Sequence, residues 1–200
     1  MKEPLKSTIQ GVIDFTWPMI IISIVIMVSL RITYLIKNKQ KLVIYKELLM
    51  LCFVIYILCL FQVVTFQDDT SWASNNFIPF KEIMRYNITS RLFIKNVLGN
   101  MIMFLPFGFF ISYYIDTDKP FITIILTLIA SVAIEIVQML IGRVFDVDDI
   151  ILNILGGLAG YSIYKLIRIV SEKIPKLSNS TWFKNIIALL VLAGVIALII

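Results

Sequence analysis

The stretch "SVAIEIVQMLIGRVFDVDDIILNILGGLAG", residues 131–160, joins two apolar runs through a short polar turn. Glu135 and Gln138 stand inside the first run, three positions apart and therefore on one helix face. The turn carries Arg143, Asp146, Asp148 and Asp149. In the second run Asn153, Gly156, Gly157 and Gly160 fall at i, i+3, i+4 and i+7, again one helix face. The stretch reads as a helical hairpin that faces itself with amides, a carboxylate and glycines.

Outward from this hairpin the chain is dominated by such runs. Hydrophobic residues make up 60% of the 200 residues, charged ones 16%, and the mean hydropathy is +0.94. Six apolar segments cover roughly 15–36, 47–66, 97–115, 121–141, 149–168 and 183–200. Each is about long enough, at 1.5 Å per residue, to cross a hydrocarbon core about 30 Å thick. A soluble core cannot bury that much apolar surface in so short a chain. The expected class is all-α: a polytopic transmembrane helix bundle of five to six spanning helices. Ile83, Met84, Ile88, Leu92 and Phe93 recur at helical spacing among charges, so a short interfacial helix is expected in the 67–95 loop. The first segment is too long for a signal-peptide core, and it reads as an uncleaved helix.

The net charge of +5 is not a nucleic-acid signal, because the lysines cluster at the ends of apolar runs. Lys37, Lys39, Lys41 and Lys46 follow the first run; Lys165, Arg168, Lys173, Lys176 and Lys184 stand in the 165–184 stretch, from the end of the fifth run to the start of the sixth. The positive-inside rule puts both clusters in the cytoplasm, and hence 67–95 and 142–148 outside. Three regions are expected: 1–66 with two transmembrane helices, 67–168 as the core, and 169–200 as a cytoplasmic linker and last helix. With no histidine in the chain, Ser-His-Asp and Cys-His catalysis are excluded. Cys52 and Cys59, seven apart in one run, form no disulfide or zinc pattern.

A carboxylate as deep as Glu135 costs about 2.5–3.5 kcal/mol on insertion scales, so its face must look toward a partner or water. Arg143 lies two turns on and is placed to reach Glu135 or an anionic headgroup. Two roles compete for the aspartates: capping the following helix, or, for Asp146 and Asp149, ligating Mg²⁺ or Ca²⁺. "NVLGN" at 96–100 repeats the pattern of "NILGG" at 153–157, so Asn96 and Asn100 are expected to face Asn153. In "FLPFG", 104–108, Pro106 removes a backbone bond and Gly108 loosens the turn, and a kink or break is expected there.

Taken in order, "NFIPF" (76–80), "NVLGNMIMFLPFG" (96–108), "EIVQ" (135–138), "GRVFDVDD" (142–149) and "NILGGLAGY" (153–161) resemble the VanZ-like family of small bacterial membrane proteins. The resemblance covers about 76–165. It implies a bacterial cytoplasmic-membrane protein linked to glycopeptide or lipoglycopeptide susceptibility, and it implies no reaction. The expected site is an outward polar pocket of Glu135, Gln138, Arg143, Asp146, Asp149, Asn153, Asn96 and Asn100. Its expected partners are membrane lipids, a lipid-linked peptidoglycan precursor or the antibiotic itself, with no nucleic acid. An intramembrane enzyme using Glu135 as base, or a lipid transporter, are the alternatives.

Overall fold

Hydrocarbon offers no hydrogen bonds, so a chain that crosses it must close its backbone bonds within each segment. In the computed structural model, which describes residues 3–66, 75–87, 90–174, 180–182, 184–186 and 188–189, the apolar runs do so as helices. These are α1 (Glu3–Lys37), α2 (Ile44–Phe66), α3 (Lys81–Arg85), α4 (Arg91–Phe93), a π-helical turn (Ile94–Leu98), α5 (Gly99–Ile115), α6 (Pro120–Leu140) and α7 (Val147–Lys173). Five of them, α1, α2, α5, α6 and α7, are long and apolar enough to span a membrane. The chain is a multi-pass membrane protein. No strand forms among the described residues; a single parallel bridge joins Asn76 to Asp146. Most of the expected sixth run, 183–200, lies outside the described residues.

The chain divides into two compact units, Met1–Phe66 with Ile174–Ile200, and Gln67–Lys173. In the first, Arg31 holds Glu47 with two parallel bonds of 2.8 and 2.9 Å, tying α1 to α2. Such fork geometry is the strongest form of this pair.

In the second unit α7 is the central helix, flanked by α5 and α6. Its glycines set the distance to α5. A Cβ at Gly156 would lie 2.2 Å from the Met101 carbonyl oxygen, one at Gly160 2.1 Å from that of Leu105, and one at Gly108 2.0 Å from that of Gly157. The two backbones therefore touch, as small residues allow where packing rather than hydrophobicity drives association. Gly108 does not loosen a turn: it is the α5 half of this contact. Nor does Pro106 break α5, which runs unbroken from Gly99 to Ile115. Helix α6 packs on the other side, where the Thr127 hydroxyl stands 2.5 Å from the place a Gly157 Cβ would take.

The turn between α5 and α6 closes the basic end. Asp116 adopts the left-handed conformation that ends α5, and Pro120 opens α6 at the position where its missing N–H is harmless. Tyr164 donates to Asp116 at 2.7 Å, Tyr161 to the Asp118 carbonyl at 2.7 Å, and Lys165 pairs with the Asp118 carboxylate. The Lys165 hydrogen bond, helped by the Arg168 charge, holds the Asp118 carboxyl below its usual range.

The two kinds of glycine predict opposite mutational behaviour. Gly156→Ala forces a methyl onto the Met101 backbone and is expected to destabilise the protein by about 2–3 kcal/mol. Gly99 is helical, and the nearest atom to the place its Cβ would take is 3.9 Å away, so Gly99→Ala is expected to be neutral or to stabilise by up to ~1 kcal/mol. Thermal unfolding in detergent, followed by size-exclusion fluorescence, checks the contrast; equal losses in both variants would refute the backbone-contact account.

Candidate functional site at the polar end of the core unit

The turn after α6 folds Arg143 back over the helix end. Arg143 N–H reaches the Gln138 carbonyl at 2.9 Å, and Gly142 supplies the positive φ of 89° that the reversal needs. With the Gln138 amide turned to satisfy both neighbours, its nitrogen donates to Glu135 Oε1 at 3.0 Å and its oxygen accepts from Arg143 Nη1 at 2.6 Å. The other Glu135 oxygen accepts the Asp146 backbone N–H at 3.0 Å. Glu135 and Gln138 are both buried. The buried carboxylate thus reaches Arg143 through an amide, and it fixes the start of the next helix.

The three aspartates divide their work. Asp146 caps α7: its Oδ1 accepts the Asp148 N–H at 2.9 Å, and the same atom accepts from Asn76 Nδ2 at 2.8 Å. Burial pushes its carboxyl above the ordinary range, against the pull of those two bonds. Asp148 turns away from its own helix. Fully buried, it accepts from the N–H groups of Phe80, Glu82 (2.7 Å) and Ile83 (3.1 Å), and so holds the start of α3. Asp149 points toward α5, where Asn100 Nδ2 donates to it, and it feels the charges of Glu135, Asp146, Asp148 and Arg143. Capping therefore accounts for two of the three acids, on two different helices.

Of the eight residues expected to converge, Glu135, Gln138, Arg143, Asp146, Asp149 and Asn100 form one network at this end. Asn153 lies a layer deeper, donating to Ser131 Oγ at 2.9 Å, with its own carbonyl oxygen unpartnered. Asn96 belongs elsewhere, donating to the Tyr86 hydroxyl at 2.9 Å. Asp146 and Asp149, the candidate Mg²⁺ or Ca²⁺ ligands, here accept from N–H donors. Among the described residues no three His, Cys, Asp or Glu side chains gather as an ion would require.

Sequence reading passed over a polar stripe beneath the network. Thr123, Thr127, Ser131, Glu135 and Gln138 are all buried along one face of α6. Ser112 of α5 meets Thr123, oxygen to oxygen, at 2.9 Å. The signal was present in the strict four-residue spacing of hydroxyls leading to Glu135. It also passed over the turn of Asp148 away from its own helix, which no local pattern encodes.

Five helices able to span a membrane, and a network of carboxylates, amides and a guanidinium at one end of the core unit, define a small polytopic membrane protein. The chain belongs to the VanZ/LLP1 family, whose model matches residues 53–168. No curated protein and no solved structure matches it.

The clasp on α3 has a measurable consequence. Asp148→Ala removes three bonds to a charged acceptor, and a loss of about 3 kcal/mol is expected, with new protease sensitivity in 75–87. Asp148→Asn should also be harmful, because its amide nitrogen would be set against the Phe80 N–H in one orientation and against those of both Glu82 and Ile83 in the other. Limited proteolysis and unfolding midpoints check this; a silent Asp148→Asn would contradict it.

Proposed function

We propose that this protein lies in a bacterial cytoplasmic membrane with its polar end outward, and that this end binds the anionic headgroup of a lipid or of a lipid-linked peptidoglycan precursor. Binding of the precursor lowers the access of glycopeptide and lipoglycopeptide antibiotics such as teicoplanin to their target, without drug destruction. The observation that carries this reading is the arrangement of Arg143. Its guanidinium stands half-buried at the end of the bundle, fastened by Gln138 to the buried Glu135. A guanidinium matches phosphate geometry, and one held in place beforehand loses less freedom on binding. Asn100 on α5 lies across the same network, where an amide suits sugar or peptide groups. The orientation is supported by Lys165, Arg168 and Lys173 at the opposite end of α7.

Two experiments test the reading. Expressed in a susceptible host, the wild-type chain is expected to raise the inhibitory concentration of teicoplanin several-fold. Arg143→Ala, at equal membrane level, should abolish that rise, and Glu135→Gln, which keeps a hydrogen-bonding group, should only weaken it. Complete loss in Glu135→Gln with Arg143→Ala unaffected would favour a general acid–base enzyme instead. For orientation, Asn87→Cys, exposed and outside the 77–84 segment, in a chain lacking Cys52 and Cys59 should react with a membrane-impermeant maleimide in intact cells; reaction only after permeabilisation would overturn the outward placement.

A further inference from the structure

The segment from Asn76 to Met84 is irregular chain as far as Phe80 and then the first turn of the short helix α3, whose leading N–H groups have no partner within the helix, yet its polar backbone is answered almost wholly from within the protein. Of its eight backbone N–H groups (Pro79 has none), seven have partners. Asn76 donates to the Phe145 carbonyl, Ile78 to the Asn76 side chain, Lys81 to the Ile78 carbonyl and Met84 to that of Phe80. Phe80, Glu82 and Ile83 donate to Asp148. The Asn76 carbonyl in turn accepts from Val147. The side chains do the opposite: Phe77, Ile78, Phe80 and Met84 are 66%, 62%, 49% and 81% exposed. Phe77 stacks on Phe145 at 5.3 Å between ring centroids, stiffening the outer surface.

A loop meant for water has no need of a buried carboxylate to answer three of its amides, and it would not turn four large apolar side chains outward. Irregular backbone survives next to hydrocarbon only where protein satisfies it. The segment lies beside the turn between α6 and α7, at one end of two of the spanning helices, where Asn76 pairs with Phe145, Asp146 and Val147. Lys81 is exposed beside it, and Arg85 pairs with Glu82 at 3.2 Å, which suits phosphate level. We propose that residues 77–84 are a plate embedded in the bilayer, its apolar side chains at the boundary between headgroups and acyl chains. Asp148 acts as the positioning residue that makes the embedding possible. The occupant of this apolar face is the phospholipid leaflet itself. The inference stands apart from the headgroup-binding reading and needs no ligand.

Depth-dependent fluorescence quenching tests it. Trp17, Trp72 and Trp182 are replaced by Phe, a single Trp is placed at Ile78 or at Met84, and the full chain is set in nanodiscs, where both faces meet solvent. Phosphatidylcholine brominated near the top of its acyl chains is expected to quench both tryptophans strongly, and aqueous iodide weakly. Strong iodide quenching with little lipid quenching overturns the proposal. Quenching by neither also overturns it, since a second copy or other protein surface then covers the plate. Adding Asp148→Asn should shift the Met84→Trp emission to the red and raise iodide quenching while the helical circular dichroism of the spans persists; unchanged quenching would remove Asp148 from the role.

Discussion

A polar group inside a bilayer must be answered by protein, and the core unit is arranged around that constraint. The α6 face from Thr123 to Gln138 carries five polar side chains through the bundle, and none of them meets lipid. They can be buried because α7 comes close, and α7 comes close because Gly156, Gly157 and Gly160 offer bare backbone to α5 and α6. Bundle packing and polar chemistry are therefore one problem. Widening the α5–α7 distance would loosen the helix whose first turn supplies Asp148 and Asp149.

The polar end is organised as a relay of positions. Glu135 fixes the amide of Asp146, Asp146 caps α7 and holds Asn76, and Asp148 fastens the start of α3. Each acid orders the next piece of chain, so Arg143 emerges from a frame that is braced on three sides. Any anionic ligand would meet that guanidinium already oriented, in a region where screening by water is weaker than at a free surface.

Helices were legible because hydropathy and run length decide them: α2, α5, α6 and α7 begin and end within a few residues of the apolar runs. The site was legible where residues were anomalous for their depth, as Glu135 and Gln138 are. Other features needed tertiary information. Pro106 reads as a helix breaker, yet the flanking turns carry α5 through it. Asn96 and Asn100 share a motif, but the chain sends one to Tyr86 and the other to Asp149. Asp148 looked like a local cap, and only a fold that brings residues 76–83 alongside α7 reveals its partners. Thr127 and Ser131 were missed because threonine and serine are ordinary enough in apolar runs to pass unnoticed.

The clasp also bears on how the chain is made. Asp148 and the amide of Glu82 are 66 residues apart. At roughly 5–20 residues per second, α7 follows the 77–84 segment out of the ribosome after about 3–13 seconds. During that interval α5 and α6 must insert while the segment's apolar side chains and unanswered amides wait for an acceptor still inside the ribosome. The last spanning helix of the core unit is thus what licenses an earlier segment to settle, and assembly of the polar end runs from the C-terminal side backwards.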